Sequence, residues 1–294
     1  MHGIAASRQR LLPLLLSILT LGCASPVAAQ ALRVTVPRAT PPGAAVVARI
    51  ATPPSTVAVS LTVFGESWPT VRVADGEWQA LIGVDLDVRP GTYVALAHAV
   101  GPDDLDSQVT LSVAPKRFRR RVLRVAPEFV NPDPEQQARI ASEAALIRDA
   151  YARTSTEPLW RTGFIRPVPQ PANSSFGTRS VFNGQPRNPH AGTDFLSPAG
   201  TPIKAPADGQ VVVARDLFFT GNTVIIDHGR GVFSMLAHLS RVDVHEGDRL
   251  DRGAIVGLVG ATGRVTGPHL HWALRIGDAR VDALTALTAL PAER

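Results

Sequence analysis

The feature that most constrains the fold is a succession of short apolar segments separated by turns that contain glycine and proline. In residues 31 to about 115 the segments are LRVTVP, AAVVARI, TVAVSLTVF, TVRVA, EWQALIGV, GTYVALAHAV and QVTLSVAP. They mostly alternate in polarity or run apolar, and PPG, PPS, ADG, RPG and GPDD separate them. This spacing is typical of antiparallel strands. The sequence therefore predicts a small β-sandwich-like domain at residues 30–115.

A second β-rich part is predicted at residues 175–288, where segments such as NTVIIDHG and GVFSMLAHLS are again joined by glycine-containing turns. This pattern favours an antiparallel sheet or a small open barrel. Residues 116–174 link the two parts and contain a predicted helix at 134–153. Asp133 suits the N-cap of this helix, and Pro134 suits its first position. The chain is therefore predicted to be mainly β, with one connecting helix.

The charge balance is weakly basic, with 30 Lys and Arg against 25 Asp and Glu and a formal net charge of +5. No basic run is interleaved with aromatic residues, so no nucleic-acid partner is predicted. The most basic segment, KRFRRRVLRV at 116–125, has two interpretations. It contacts a polyanion, or it is a strand or linker with a solvated face, which is the more common case.

The N-terminus has the pattern of a secretory signal peptide. Arg8 and Arg10 precede the apolar run LLPLLLSILTLG, and ASPVAAQ offers small residues for cleavage after Ala29. We therefore predict a signal peptide at residues 1–29 and an exported protein. The run is too short to span a membrane, and no other stretch is long and apolar enough. The only cysteine, Cys23, ends this run in LTLGC, which leaves a lipid anchor at Cys23 as the alternative to plain cleavage.

Most of the histidines lie in the second β-rich part. They are His190, His228, His238, His245, His269 and His271. In NPHAGTDF, His190 and Asp194 stand four residues apart, and Pro189 and Gly192 argue against a helix there. A loop that passes into a strand would still bring this imidazole and carboxylate onto one ion.

The segment TGPHLHWALR at 266–275 places two histidines one residue apart in a predicted strand. Because side chains alternate along a strand, His269 and His271 point to one face, while Leu270 and Trp272 point to the opposite, buried face. If the face that carries the two histidines is also buried, their imidazoles need polar partners. The alternative is an exposed strand face with two incidental histidines.

The other histidines give weaker signals. His238, in LAHLS, lies in or just after a strand and is either an edge or capping residue or a further member of the site. His228, where a strand ends in IIDHGRG, is predicted to be structural, and His245 is predicted to be an exposed turn residue. His98 is predicted to be packed or exposed, without a function.

One aspartate and two histidines match the ligand set of a catalytic zinc ion, which keeps three protein ligands and a fourth position for water. Zinc lowers the pKa of water and polarises a carbonyl group. Unligated histidines nearby can accept a proton or stabilise an oxyanion. The residues alone therefore indicate a site for one Zn²⁺ per chain, built from His190, Asp194, His238 and one or both of His269 and His271.

At these residues the sequence resembles the M23 peptidases, the LytM/lysostaphin family of peptidoglycan metalloendopeptidases. The resemblance covers about residues 176–282 and includes FGTRSVFNGQPRNPHAGTDF, GTPIKAPADGQVV, GNTVIIDHG, MLAHLS and GATGRVTGPHLHW, in the family's order. It implies a LytM-type catalytic domain at 175–288. By position in the motifs, it implies the metal ligands His190, Asp194 and His271 and the catalytic residues His238 and His269.

The resemblance also implies a substrate and a location: peptide cross-links of bacterial peptidoglycan, in the periplasm or cell envelope of a Gram-negative bacterium. The complete set of five residues argues against the alternative of a non-catalytic, wall-binding regulator that activates an amidase. A metal site with a purely structural role is the third interpretation. One departure from the family is Leu236, where many M23 peptidases have Tyr. If the strand is regular, Leu236 shares the face of His238, and we expect the change to alter the pocket wall. A further hypothesis is that the 30–115 domain, which resembles an accessory domain, or the 134–153 helix covers the substrate groove.

Overall fold

The computed structural model describes residues 31–173 and 176–291. The predicted signal peptide at 1–29 and the lipid-anchor alternative at Cys23 therefore lie outside the described residues. Within the described part of the chain, no helix has the length and apolar character needed to cross a membrane.

The N-terminal β part consists of two four-stranded antiparallel sheets. Its strands are β1 (Arg33–Thr35), β2 (Ala45–Ala51), β3 (Ala58–Val63), β4 (Glu66–Trp68), β5 (Thr70–Ala74), β6 (Glu77–Gly83), β7 (Gly91–Val100) and β8 (Leu105–Val113). The strand orders are β1-β2-β6-β5 and β4-β3-β7-β8. Alternate residues of β3 are buried, and Leu61 of this strand shares a core with Ile82 and Leu111. The alternating pattern in the sequence thus corresponds to a sandwich-like pair of sheets.

The linker contains the predicted helix. Its elements are β9 (Arg120–Leu123), a 3-10 turn (Pro127–Phe129), α1 (Pro134–Ala152) and a second 3-10 turn (Leu159–Thr162). The Asp133 carboxylate accepts a hydrogen bond from the backbone N–H of Gln136, and the Gln136 side chain accepts one from the backbone N–H of Asp133. This reciprocal capping box starts the helix where the sequence predicted it. Of the basic segment 116–125, residues 120–123 form a strand, and Arg120 on it is exposed.

The C-terminal β part is built around one large open sheet. Its elements are β10 (Arg179–Phe182), β11 (Gln185–Pro186), β12 (Thr193–Phe195), β13 (Pro202–Lys204), β14 (Gly209–Leu217), β15 (Gly221–Asp227), β16 (Val232–Val242), β17 (Arg249–Leu250), β18 (Ile255–Val259), β19 (Leu270–Ile276), β20 (Ala279–Val281) and α2 (Ala283–Ala289). The main path is β12-β19-β16-β15-β14-β17, with β13, β18 and β20 attached to it. A separate three-stranded sheet has the order β11-β10-β9, in which β9 and β10 are parallel.

Helix α1 packs on the central sheet. Ala150 and Tyr151 of the helix contact Phe233 and Ile225, and the Tyr151 and Phe233 rings lie 5.0 Å apart. Phe233 and Ala237 lie four residues apart on β16, so they point to the same face of the sheet. The helix therefore covers one end of the sheet face to which the side chain of Ala237 points. That it also covers a substrate groove stays a hypothesis.

The two β parts share one continuous buried cluster. The Arg280 guanidinium of β20 donates to the Asp85 carboxylate at 2.8 Å, and the backbone N–H of Asp282 donates to the carbonyl oxygen of Gly43 at 2.7 Å. These bonds attach the N-terminal sheets to the C-terminal sheet. The boundaries of separate domains at 30–115 and 175–288 stay a prediction.

Candidate metal and catalytic site

Three neighbouring strands bring two of the predicted metal ligands together. In the antiparallel pair of β12 and β19, Asp194 lies directly opposite His271. On the other side of β19, Ala237 of β16 lies opposite the same histidine. Side chains directly opposite each other in an antiparallel pair point to the same face of the sheet. The register therefore aims the Asp194 carboxylate and the His271 imidazole at one point.

His190 reaches the same point from the loop that precedes β12. Its backbone N–H donates to the carbonyl oxygen of Thr178, and its own carbonyl accepts from Gly177, so the loop is held at both groups. His190 Nε2 lies 3.0 Å from His271 Nδ1 and 3.2 Å from Asp194 Oδ1. His271 Nδ1 lies 3.0 Å from the same carboxylate oxygen. The structure thus brings all three predicted ligands into one cluster.

The spacing of these three ligand atoms fits a tetrahedral zinc ion. Zinc binds imidazole nitrogen and carboxylate oxygen at about 2.0–2.2 Å, so two ligand atoms of one tetrahedron lie about 3.3–3.6 Å apart. The observed separations of 3.0, 3.0 and 3.2 Å are within a few tenths of an ångström of that range. A set of three protein ligands also leaves a fourth corner for water or substrate, as catalytic zinc sites do.

Only glycine fits at position 192, because the His271 ring lies against its Cα atom. A Cβ atom built on Gly192 would clash with Cε1 and Nε2 of His271 and would lie 3.0 Å from the carbonyl oxygen of Trp272. Any side chain at position 192 would therefore displace a metal-ligand candidate. The sequence indicated only that glycine permits an unusual turn here; the close approach of His271 comes from the sheet.

The two predicted catalytic histidines lie beside the three ligands. The ring centroids of His238 and His269 are 4.8 Å apart, and those of His238 and His271 are 5.9 Å apart. His269 Nε2 lies 3.9 Å from Asp194 Oδ1. The side chain of His269 is 15% exposed, so the cluster is recessed but reachable from solvent. All five predicted residues therefore lie in one cluster.

His238 enters this cluster because the backbone of β16 is irregular. Its φ is +67°, and the β15–β16 register shifts between the pairs that contain Leu236 and Leu239. The backbone N–H of His238 donates outside the ladder, to Thr220. Such a bulge re-aims a side chain. The expectation that Leu236 shares the face of His238 is wrong: Leu236 lies opposite Trp272 and is fully buried, because the left-handed residue interrupts the alternation.

Backbone carbonyls orient both catalytic candidates. Nδ1 of His238 lies 2.9 Å from the carbonyl oxygen of Thr262, and Nδ1 of His269 lies 2.9 Å from that of Gly267. Since a carbonyl can only accept, each Nδ1 carries the proton and each Nε2 is the basic nitrogen. Sequence reasoning missed both carbonyls, since main-chain atoms give no side-chain signal.

The electrostatics set the protonation states that metal binding needs. Burial raises the pKa of Asp194, but hydrogen bonds from His190 and His271 outweigh burial and hold this pKa far below its usual range. Burial lowers the pKa of His271 against the opposing effect of Asp194. Burial, together with repulsion from His271 and His269, lowers the pKa of His238 to about 3. At neutral pH the carboxylate is therefore ionised, and His238 and His271 are neutral.

The other described histidines are outside the cluster. His228 is fully buried, with Nδ1 2.7 Å from the carbonyl oxygen of Asp208 and Nε2 2.9 Å from Oγ of Ser234. It is a structural residue, as predicted. The side chain of His245 is 90% exposed in a turn, and His98 lies partly exposed on β7.

Comparison with known sequences gives partial matches to cell-wall enzymes. Peptidoglycan DD-endopeptidase ShyA of Vibrio cholerae is 46% identical over 141 residues, which are 48% of this chain and 30% of ShyA. The DD-carboxypeptidase/endopeptidase Mpg of Neisseria meningitidis is 40% identical over 102 residues, which are 35% of this chain and 24% of Mpg. The chain thus spans less than a third of the length of these two curated relatives.

The family assignment is supported by a family model and by a solved structure. The model of Peptidase family M23 matches residues 188–283, which include every residue of the site cluster. The crystal structure of a protein assigned to peptidase M23 from Pseudomonas aeruginosa has a TM-score of 0.65 and 34% sequence identity, covering 85% of this chain and 96% of that one. With that identity over nearly the whole of the solved chain, and with the family's motif residues gathered in one cluster, this protein belongs to peptidase family M23.

Proposed function

We propose that this protein is a zinc-dependent endopeptidase that hydrolyses peptide cross-links of bacterial peptidoglycan. The observation that carries the proposal is the convergence of His190, Asp194 and His271, with His238 and His269 beside them. The names of the relatives support the substrate, since ShyA is a peptidoglycan DD-endopeptidase and Mpg a DD-carboxypeptidase/endopeptidase.

His190, Asp194 and His271 would hold one Zn²⁺ per chain, through the three atoms that lie 3.0–3.2 Å apart. Bound zinc supplies Lewis-acid chemistry: it polarises the scissile carbonyl and makes water more acidic. The protein contributes an ionised carboxylate and a pre-formed register between β12 and β19. This arrangement needs little reorganisation to accept the ion.

His238 and His269 would handle the protons of the reaction. Their basic Nε2 atoms orient the attacking water and accept its proton. The resulting imidazolium keeps its Nδ1–H bond to the carbonyl of Thr262 or Gly267. The same ring then donates the proton to the departing amine and stabilises charge that develops on the carbonyl oxygen.

Two alanine substitutions distinguish the role of His271, the proposed metal ligand, from that of His269, the proposed catalytic residue. His271→Ala is expected to lose both zinc and activity, whereas His269→Ala is expected to retain zinc and lose activity. Zinc content is measured by elemental analysis, and activity by mass spectrometry of defined muropeptides after digestion. If both variants hold zinc equally well, the division of roles between the two histidines is wrong.

The competing function is a non-catalytic regulator that binds the wall and activates an amidase. The complete set of five site residues favours the enzyme. Hydrolysis of the cell wall that survives either exhaustive chelation or the Asp194→Ala substitution would favour the regulator, because the activity would then come from a partner protein. Loss of hydrolysis in both cases supports the enzyme.

The proposed location is the periplasm or cell envelope. It follows from the signal-peptide pattern at 1–29 and from a substrate that lies outside the cytoplasm. Cell fractionation tests it, and comparison with Cys23→Ala tests the lipid anchor. Membrane association that the substitution abolishes indicates acylation, while an unchanged soluble envelope fraction indicates plain cleavage.

A further inference from the structure

Two arginines near the site cluster have no acidic partner among the described residues. Arg187 comes three residues before His190, and Arg264 comes two residues after Thr262, whose carbonyl holds His238. Within the described ranges neither guanidinium forms an ion pair with a carboxylate, and the only charged group that shifts the pKa of Arg264 is Arg187. Both guanidinium groups contact the β10–β11 hairpin: Arg264 lies over Phe182, and Arg187 donates to the side chain of Gln185, which pairs with Phe182.

The Arg264 guanidinium is held by aromatic rings. Its central carbon lies 4.5 Å from the ring centroid of Phe219 and 5.1 Å from that of Phe182. The backbone N–H of Arg264 donates to the carbonyl oxygen of Phe219, which fixes the segment as well as the side chain. Stacking holds the plane of a guanidinium and leaves its N–H edge available for an acceptor.

Neutral acceptors hold Arg187. One Nη donates to the carbonyl oxygen of Val130 at 2.9 Å and to the Gln185 side chain at 3.0 Å. The Nε atom is buried and has no hydrogen-bond partner among the described residues. This buried atom does not reach solvent, so any contact of Arg187 with a ligand has to be made through its Nη groups.

Other stacked arginines in the described part of the chain each have a carboxylate partner. Arg72 over Trp78 pairs with Asp75, Arg139 over Phe218 pairs with Glu143 and Asp216, and Arg275 over Tyr151 pairs with Asp278. Arg264 differs from these three, because it has no carboxylate partner among the described residues and is repelled by Arg187. Burial and that repulsion lower the pKa of Arg264.

Two partly buried like charges without a counter-ion destabilise the protein, and an anion placed between them removes the repulsion. Guanidinium groups match carboxylates with paired N–H donors. We propose that Arg187 and Arg264 bind a free carboxylate of the peptide substrate next to the cleaved bond, so that the enzyme selects anionic peptides. This inference rests on the proposed function, because the ligand is part of the same substrate.

The test compares two forms of one substrate: a synthetic cross-linked stem-peptide dimer with free carboxylates, and the same dimer with those carboxylates amidated. Arg264→Gln and Arg187→Gln are expected to lower kcat/KM for the acid form by about tenfold or more, mainly through KM, and to change it little for the amide. Arg72→Gln, which removes a stacked arginine of the N-terminal β part, is the control and should keep the preference of the native protein.

Binding to His269→Ala, measured by calorimetry, gives a readout that does not depend on turnover. This variant should bind the acid form more tightly than the amide, and adding Arg264→Gln should remove the difference. Equal losses for both substrates would mean that Arg264 only holds its loop, and an unchanged preference in both arginine variants would also overturn the inference. If the native protein cleaves neither peptide and binds neither, the proposed function fails instead.

Discussion

His228 is expected to make this protein less stable in mildly acid solution. Its Nδ1 donates to the carbonyl oxygen of Asp208 at 2.7 Å, so its Nε2 accepts the hydroxyl proton of Ser234 at 2.9 Å. Oγ of Ser234 accepts in turn from the indole N–H of Trp272 at 3.0 Å. Because a hydroxyl has a single proton to donate, this buried chain is complete only when His228 is neutral.

Burial lowers the pKa of His228 from 6.5 to about 4 in the folded protein. Above pH 6.5 the ring is neutral in both the folded and the unfolded state, and its full contribution to stability is present. Between pH 6.5 and pH 4 the unfolded chain binds a proton that the folded protein does not, so the free energy of unfolding falls as the pH falls. The total loss is about 3 kcal/mol, since one pKa unit corresponds to about 1.4 kcal/mol.

Urea unfolding between pH 7.5 and pH 4.5, followed by circular dichroism with chelator present throughout, measures this loss. His228→Asn keeps a neutral donor near the position of Nδ1 but cannot titrate. It should be less stable than the native protein at pH 7.5, and the difference should shrink below pH 6.5. His245→Asn is the matched control, because the side chain it replaces is 90% exposed. Parallel curves for the native protein and His228→Asn would refute the reasoning.

Two further substitutions test the packing at the site and the start of the helix. Gly192→Ala is expected to weaken zinc binding by about tenfold or more, since its methyl group displaces the His271 ring; competition with a chelating dye measures this. Gly91→Ala, on an open strand position, should leave the affinity unchanged, and equal affinities in all three proteins would contradict the clash. Asp133→Ala removes the cap that Gln136 completes and should lower the free energy of unfolding by about 1 kcal/mol without changing zinc affinity. An unchanged urea midpoint would contradict that role.

Much of the fold followed from residues that are close together in the sequence. The alternating polarity of AVSLTV corresponds to the alternate burial along β3, and the alternation of HLHWALR predicted the buried Leu270 and Trp272. The helix begins at Asp133 because the cap and its acceptor are three residues apart. Side-chain periodicity and capping depend on neighbouring residues, so the sequence alone contains them.

The candidate site was predictable in its members but not in its geometry. His190 and His271 are separated by 81 positions, and spacing alone left open which histidine of the HLH pair binds the metal. Their roles were implied by the order of the M23 motifs. The structure adds the contact of the two rings and the register that places Asp194 opposite His271.

By itself, the sequence determined a mainly β chain with one connecting helix and the set of residues that gather at the site. Only the tertiary structure decided that His238 turns into the site while Leu236 stays in the core, that the Thr262 carbonyl orients His238, and that Arg264 and Arg187 contact the same hairpin. The reason is physical: backbone strain, carbonyl acceptors and repulsion between like charges depend on segments far apart in the chain. Main-chain atoms are the same at every residue, so they become specific only where the fold brings them together.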